Sequence, residues 1–281
     1  MDPFRPVKPF QTRPEGFLDG GHCWLREYVT GGVFTVRMAE SGLLEFSGPG
    51  ETFDERVPWP YRPAVAALRE SLDRETFRNA VEDVTQYRFA VLAPLGMGVP
   101  YDWERMSPVF GRAIWDGAAG EYRPIDDAER IFGALGLATV PIVEKEVPTR
   151  DLQVDASIVP QSAYASAPAA GVVLEKKRGT AVFVPREPFS DHDRAPPRPA
   201  GHPRDLAAWF ETELDRERLA TLAAQQPLSH WDVDALVAAV AGDLARREFR
   251  AVGAVAVEDP DGYRDALRER IVALRTDSDG T

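Results

Sequence analysis

Apolar positions fall into short bursts along the first 190 residues and into a longer, wider-spaced rhythm after that. Residues 25–29, 33–39 and 43–46 have the length and alternation of strands, with Gly31-Gly32 and Ser41-Gly42 as turn signals between them. This pattern predicts an antiparallel meander behind a Pro- and Gly-rich arm over residues 1–21. Pro58-Trp59-Pro60-Tyr61 reads as a loop. Residues 64–72 and 76–84 have helical spacing, and Asp73 is placed to cap the second helix. Residues 87–93 and 109–115 are continuous apolar strands, the latter bounded by Pro108 and Gly117. A helix opens at Ile125-Asp126-Asp127, runs to Leu135 and stops at Gly136. Residues 140–143 return as a strand, 147–169 are irregular, and 171–174 with 181–184 form a last strand pair.

The pattern then changes. Residues 190–203 are rich in proline with little to bury, which marks a linker. Three amphipathic segments follow, at 204–224, 231–249 and 261–274, with Ser229 as an N-cap for the second. The expected organisation is one α/β domain over 1–190 and a helical C-terminal domain over 204–281.

Composition narrows the possibilities. The chain has 281 residues, 44% hydrophobic and 10% aromatic, enough for a substantial core. No apolar run reaches the length of a membrane span, and the N-terminus lacks the pattern of a signal peptide, so no membrane role and a cytoplasmic location are expected. The single cysteine, Cys23, excludes an internal disulfide and a cysteine-based zinc cluster. The net charge is −12, and of 33 basic residues only Lys8, Lys145, Lys176 and Lys177 are lysine. Such a surface suits concentrated salt, and a GC-rich genome would produce a similar bias. An acidic chain is a poor general binder of nucleic acid, although a local basic groove would still serve.

Three stretches carry more specific information: Tyr101-Asp102-Trp103-Glu104-Arg105; Pro124 with Glu129-Arg130-Ile131-Phe132 leading into Leu135-Gly136-Leu137; and Pro168-Ala169-Ala170-Gly171-Val172-Val173. Together with the order of elements, they resemble the ATP-dependent nucleotidyltransferase domain shared by RNA ligases, DNA ligases and capping enzymes. Within that superfamily the resemblance is to the small RNA-ligase-like family of salt-loving archaea. It implies an α/β (α+β) fold, an ATP-grasp-like nucleotidyltransferase domain with antiparallel sheets, followed by a helical C-terminal domain.

At the catalytic positions the chain departs from what the resemblance implies. Tyr28 stands where the nucleophilic lysine belongs, with Thr30 in the acidic position two residues on and Gly31 kept. Thr35 replaces a following arginine. A Phe-Gly-Glu motif falls on Ala90-Val91-Leu92, so Leu92 replaces its glutamate. The aromatic that stacks on adenine falls on Arg112, followed by Ala113. The glutamate of Glu-Gly-Val-Val becomes Ala170, and Arg-Ala-Lys becomes Thr180-Ala181-Val182. A second near-match, Phe17-Leu18-Asp19-Gly20, also lacks the lysine, and no lysine lies anywhere in residues 9–144. Adenylyl transfer requires a free amine beside an α-phosphate, carboxylates for Mg²⁺ and cations on the phosphates. Tyr, Leu, Ala and Val supply none of these.

Other features admit plainer readings. His22-Cys23 fits a semi-buried strand cysteine better than a nucleophile. Asp191-His192-Asp193 and His202 fit solvated linker residues better than metal ligands. Glu144-Lys145-Glu146 is an exposed charge alternation. Lys176-Lys177-Arg178 fits a hairpin turn ending at Gly179, or else a remaining phosphate or RNA contact. Trp209, Trp231 and Phe249 belong to a helical core. The expectation is an RNA-ligase-like protein that has lost adenylation and ligation, uses no cofactor or metal, and acts by binding RNA or a protein partner such as an active ligase paralogue. Arg112, Lys176, Lys177 and Arg178 are its candidate nucleotide or RNA contacts, and the cleft around Tyr28, Leu92, Arg112 and Ala170 is expected to be apolar. Two alternatives stay open: an active ATP-dependent RNA ligase with atypical residues, using ATP and Mg²⁺, and a structural protein with no ligand in the cleft.

Overall fold

The expected meander is not one sheet. In the computed structural model, which describes residues 7–48, 51–53, 56–177, 179–187, 189, 205–224 and 232–276, the first and second strands pair with different partners. The chain divides into two units, Met1–Arg56 with Ala64–Pro94 and Gly98–Pro197, and Val57–Pro63 with Leu95–Met97 and Arg198–Thr281.

The strands of the first unit are β1 (Lys8–Pro9), β2 (His22–Glu27), β3 (Gly31–Met38), β4 (Leu44–Gly48), β5 (Glu51–Thr52), β6 (Tyr87–Pro94), β7 (Phe110–Asp116), β8 (Glu121–Tyr122), β9 (Ile142–Pro148), β10 (Gly171–Lys176) and β11 (Ala181–Pro185). Helices α1 (Arg62–Ser71), α2 (Arg74–Ala80) and α3 (Ile125–Ala134) lie between them in sequence. One sheet has the order β1-β11-β10-β2-β9 and the other β5-β4-β3-β6-β7-β8. Only β3 and β4 form the predicted hairpin. Between β2 and β3, Tyr28 N–H donates to Gly171 O at 3.0 Å, while Gly31 already pairs with Pro94 of the other sheet. A Cβ on Gly31 would fall 2.3 Å from Ala93 O, so the second sheet needs glycine there.

The central strands of each sheet bury both faces. On the first, Cys23, Leu25, Val172, Leu174 and Val182 pack with Phe17 and with half-buried Phe10, Leu152 and Ile158 on the outer side. On the second, the outer side meets the helices: Phe89 packs against Phe77 of α2 and Phe132 of α3. Asp73 caps α2 as expected, accepting from Thr76 N at 2.9 Å. Gly136, at φ +75°, ends α3. The two inner faces meet in a cluster of Val29, Leu92, Val99, Tyr101, Met106, Phe110, Val140 and Ala170.

The second unit contains α4 (Leu206–Glu213), α5 (Arg216–Ala224), α6 (Val233–Arg247), a π-turn (Phe249–Gly253), α7 (Ala254–Glu258) and α8 (Pro260–Thr276). The expected helix over 204–224 is two helices. Asp205 caps α4, and Asp215, whose carboxylate accepts from Arg218 N, opens α5. Pro58–Tyr61, read as a loop, is largely a 3-10 turn whose Trp59 is core: its indole donates to Pro260 O at 3.1 Å and its ring packs on Tyr263. Residues 95–97 also belong here. Gly96 exchanges backbone bonds with Arg246 and Arg250, and a Cβ on it would fall 1.7 Å from Arg247 O. Trp209 packs against this core, and Phe249 is buried with Leu95 and Met97. Ser229, Trp231, the 190–203 linker, Asp191, His192, Asp193 and His202 lie outside the described residues.

Candidate functional site

The inter-sheet space of the first unit is built by strand parity. On β2, Cys23 and Leu25 point outward, so Trp24 and Arg26 point inward. Their cross-strand partners on β10 are Glu175 and Val173, and Val173 in turn pairs with Phe183 of β11. Tyr28 follows Arg26 on the same side and lies on the Phe183 ring, with centroids 4.0 Å apart. Across the space, Leu92 and Ala90 of β6 face inward, paired with Phe110 and Ala113 of β7.

The apolar half of this space holds most of the degenerate motif positions. Leu92 and Ala170 are buried in one cluster with half-buried Tyr28 and Val33 against it. Thr30 is fully buried, and Tyr101 Oη accepts from its backbone N–H at 2.9 Å and its hydroxyl at 3.2 Å. Burial pushes the Tyr101 phenol well above its ordinary value, so it remains a neutral hydroxyl. Thr35 is buried on β3 beside Ala90, its hydroxyl reaching Ser47 O at 3.4 Å. Val182 is the exception. It faces the outer cluster with Cys23 and Leu25, and its neighbour Phe183 faces inward instead.

The other half is charged, contrary to an apolar cleft. Arg26, 4% exposed, places Nη2 2.8 Å from Glu129 Oε1 of α3 and Nε 3.4 Å from Glu175 Oε2 of β10. Thr139 hydroxyl donates to the other Glu129 oxygen at 3.0 Å. Burial pushes the Glu175 carboxyl above its ordinary value, opposed by Arg26 and Arg112. Arg112 is the extra residue of a β-bulge, where the β6–β7 register shifts between Ala90 and Val91. Its half-buried guanidinium feels Glu175, Tyr28, Arg26 and Tyr122, and desolvation draws its pKa below the usual arginine value.

A third feature was not foreseen. Glu27, 1% exposed, accepts from Ser162 Oγ at 2.6 Å and Ala163 N at 2.8 Å, pinning the 161–168 turn over the apolar cluster. Desolvation raises its pKa, opposed by those two bonds. Arg26, Glu129 and Glu175 could have been found from parity, because each charge interrupts an otherwise apolar strand or helix face. Glu27 carries no such signal.

The basic hairpin is engaged locally. Lys176 Nζ donates to Gly20 O at 2.6 Å, Lys177 pairs with Asp126 at 3.3 Å, and Gly179 turns at φ +80°. Arg178 lies outside the described residues. Lys145 sits 4.4 Å over the Trp24 ring, and Glu146 accepts from the Trp24 indole. Burial pushes the Cys23 thiol up to about 11, which suits packing and not nucleophilic attack. Among the described residues, no group of three or more His, Cys, Asp and Glu side chains is placed to hold a metal ion.

No protein-family model matches the chain, and no curated protein matches it. Solved structures do resemble it. Naegleria gruberi RNA ligase with PPi superposes at TM-score 0.50 and 12% identity, covering 69% of this chain and 59% of that one. A lysine-to-alanine mutant of the same ligase with ATP and Mn gives 0.48 and 12%, covering 67% and 58%. The chain thus spans under two thirds of those ligases. The shared feature is the fold: two antiparallel-rich sheets with flanking helices, the RNA ligase nucleotidyltransferase fold. No helix among the described residues is long and apolar enough to cross a membrane.

Proposed function

We propose that this is an RNA-ligase-like protein that no longer adenylates itself or ligates, and that acts by binding RNA or a protein partner. The observation that carries this reading is Tyr28: at the position the resemblance assigns to the lysine, a half-buried ring lies on Phe183. A phenol with this packing offers no amine to an α-phosphate. The surroundings support the same reading. Leu92 and Ala170 offer no oxygen to a cation, and the two nearby carboxylates, Glu129 and Glu175, face Arg26. These side chains do not fit a metal-bound triphosphate. Arg112 is the cleft residue proposed to contact RNA or nucleotide; Lys176, Lys177 and Arg178 are proposed as a peripheral contact. Domains at 1–190 and 204–281, a cytoplasmic setting and a salt-adapted source complete the proposal, the last supported by the net charge of −12 and the scarcity of lysine.

The second reading, an active ligase using ATP and Mg²⁺ through atypical residues, is favoured by the fold it shares with RNA ligases. Incubation with α-labelled ATP and Mg²⁺ separates the two. No covalent label is expected, and acid-labile label on a lysine would overturn the first reading. Gel shifts with single- and double-stranded RNA across a salt series then test for phosphate contacts, which weaken steeply as salt rises.

A further inference from the structure

The charges between the sheets are unevenly shared. Arg26 takes both carboxylates, Glu129 at 2.8 Å and Glu175 at 3.4 Å. Its Nε–H faces Glu175 as an ion pair without a well-formed hydrogen bond. Arg112 has no hydrogen bond or ion pair with any described residue, and its nearest fields are Glu175, the like charge of Arg26, and the phenols Tyr28 and Tyr122. A guanidinium held half-buried between the sheets without a hydrogen-bonded counter-charge is costly to keep. The fold nevertheless aims it, because the bulge on β7 turns Arg112 to the inner face.

The residues that flank Arg112 on the inner face are small. Thr35, Ala90 and Ala113 form a row across β3, β6 and β7, paired in register, all on the inner face. The rings that Arg112 feels are already packed, Tyr122 edge-on to Trp115 with centroids 5.1 Å apart and Tyr28 on Phe183. A flat aromatic ligand would have to displace one of these ring contacts to stack. A compact oxyanion would find a forked donor in Arg112, which has no hydrogen bond or ion pair among the described residues, with the Arg26 charge close by.

We propose that Arg112, with Arg26 behind it, binds a phosphate group at the place where the resemblance puts a stacked base. The ligand class is a phosphate monoester or inorganic phosphate, recognised by its oxygens. This inference rests on the binding reading above and specifies what the inner face binds.

The test uses the full chain, without added metal, at low ionic strength. Thermal shift and calorimetric titration with inorganic phosphate, against matched chloride, should show saturable binding. Arg112→Met should weaken it by about tenfold or more, the loss expected for charge-assisted hydrogen bonds. Arg112→Lys, which keeps the charge, should restore part of it, and the exposed control Arg130→Met should change nothing. Circular dichroism of each variant separates lost binding from lost folding. AMP should bind and adenosine should not. A preference for a 5′-phosphorylated over a 5′-hydroxyl oligoribonucleotide, lost in R112M, would assign the phosphate to an RNA end; equal binding of the two, with AMP retained, would assign it to a free nucleotide. Adenosine binding in place of phosphate, or phosphate binding unchanged in a folded R112M protein, would overturn the proposal. The outcome is independent of the ATP-labelling result, since label on a lysine would refute the loss of adenylation without restoring or removing the Arg112 dependence.

Discussion

The two faces of the β1-β11-β10-β2-β9 sheet are made by the same strands and are about equally buried, yet they solve different problems. The outer face, with Cys23, Leu25, Val172, Leu174 and Val182, needs only volume and apolarity. The inner face, one residue out of phase, carries Trp24, Arg26, Val173, Glu175 and Phe183. There, each buried charge depends on a partner from another element, so its stability is conditional on the set being complete. The outer face holds the sheet together; the inner face retains groups that packing alone would have replaced with carbon.

That contrast can be broken most directly at Arg26. Arg26→Met leaves Glu129 and Glu175 buried without their cation and should cost roughly 3–5 kcal/mol in urea unfolding. Adding Glu175→Met to it should recover part of the loss, and a purely additive cycle would show that the pair is not coupled. On the outer face, Leu174→Ala should cost roughly 2–5 kcal/mol through a cavity. No second substitution on Glu129 or Arg26 should recover it, and recovery would mean that the faces are not independent. Tyr101→Phe strips the acceptor from both Thr30 donors in a buried place and should cost about 1–3 kcal/mol by the same measurement.

Glu27 gives the smallest effect and a sign that sharpens the comparison. Its pKa is raised above 4.5, so the folded state holds the proton more tightly than the unfolded chain. The stability this contributes is present below the unfolded value and is lost as pH rises through the folded one. Wild type minus Glu27→Gln should therefore decline as pH is raised from about 4 to about 7. A difference that grows over that range would mean the two hydrogen bonds from Ser162 and Ala163 outweigh burial.

Much of the fold could be read from the sequence because its strands are local apolar runs. Residues 87–93 and 109–115 were bounded within a residue or so, and Asp73 capped its helix as its side chain required. The sheet assignment of β2 was not legible. Nothing between Glu27 and Gly31 differs locally from a hairpin turn; the break comes from Gly171 and Pro94, which are far along the chain. The role of Trp59 and the placement of residues 95–97 were missed for the same reason. At the site, the substitutions at Tyr28, Leu92 and Ala170 were visible as residue types, whereas the facing of Val182 depends on parity from a strand start that the motif alignment did not supply.

The sequence by itself determined which segments become strands and helices, because backbone propensity and apolar spacing act over a few residues. It also determined that no lysine lies within residues 9–144, and so none on β2 or β3. Tertiary structure alone decided that Arg26 pairs with Glu129 and Glu175 while Arg112 feels Glu175 without a hydrogen bond or ion pair to any described residue. Electrostatic partners are chosen by distance in space, and strands widely separated in sequence had first to be brought face to face.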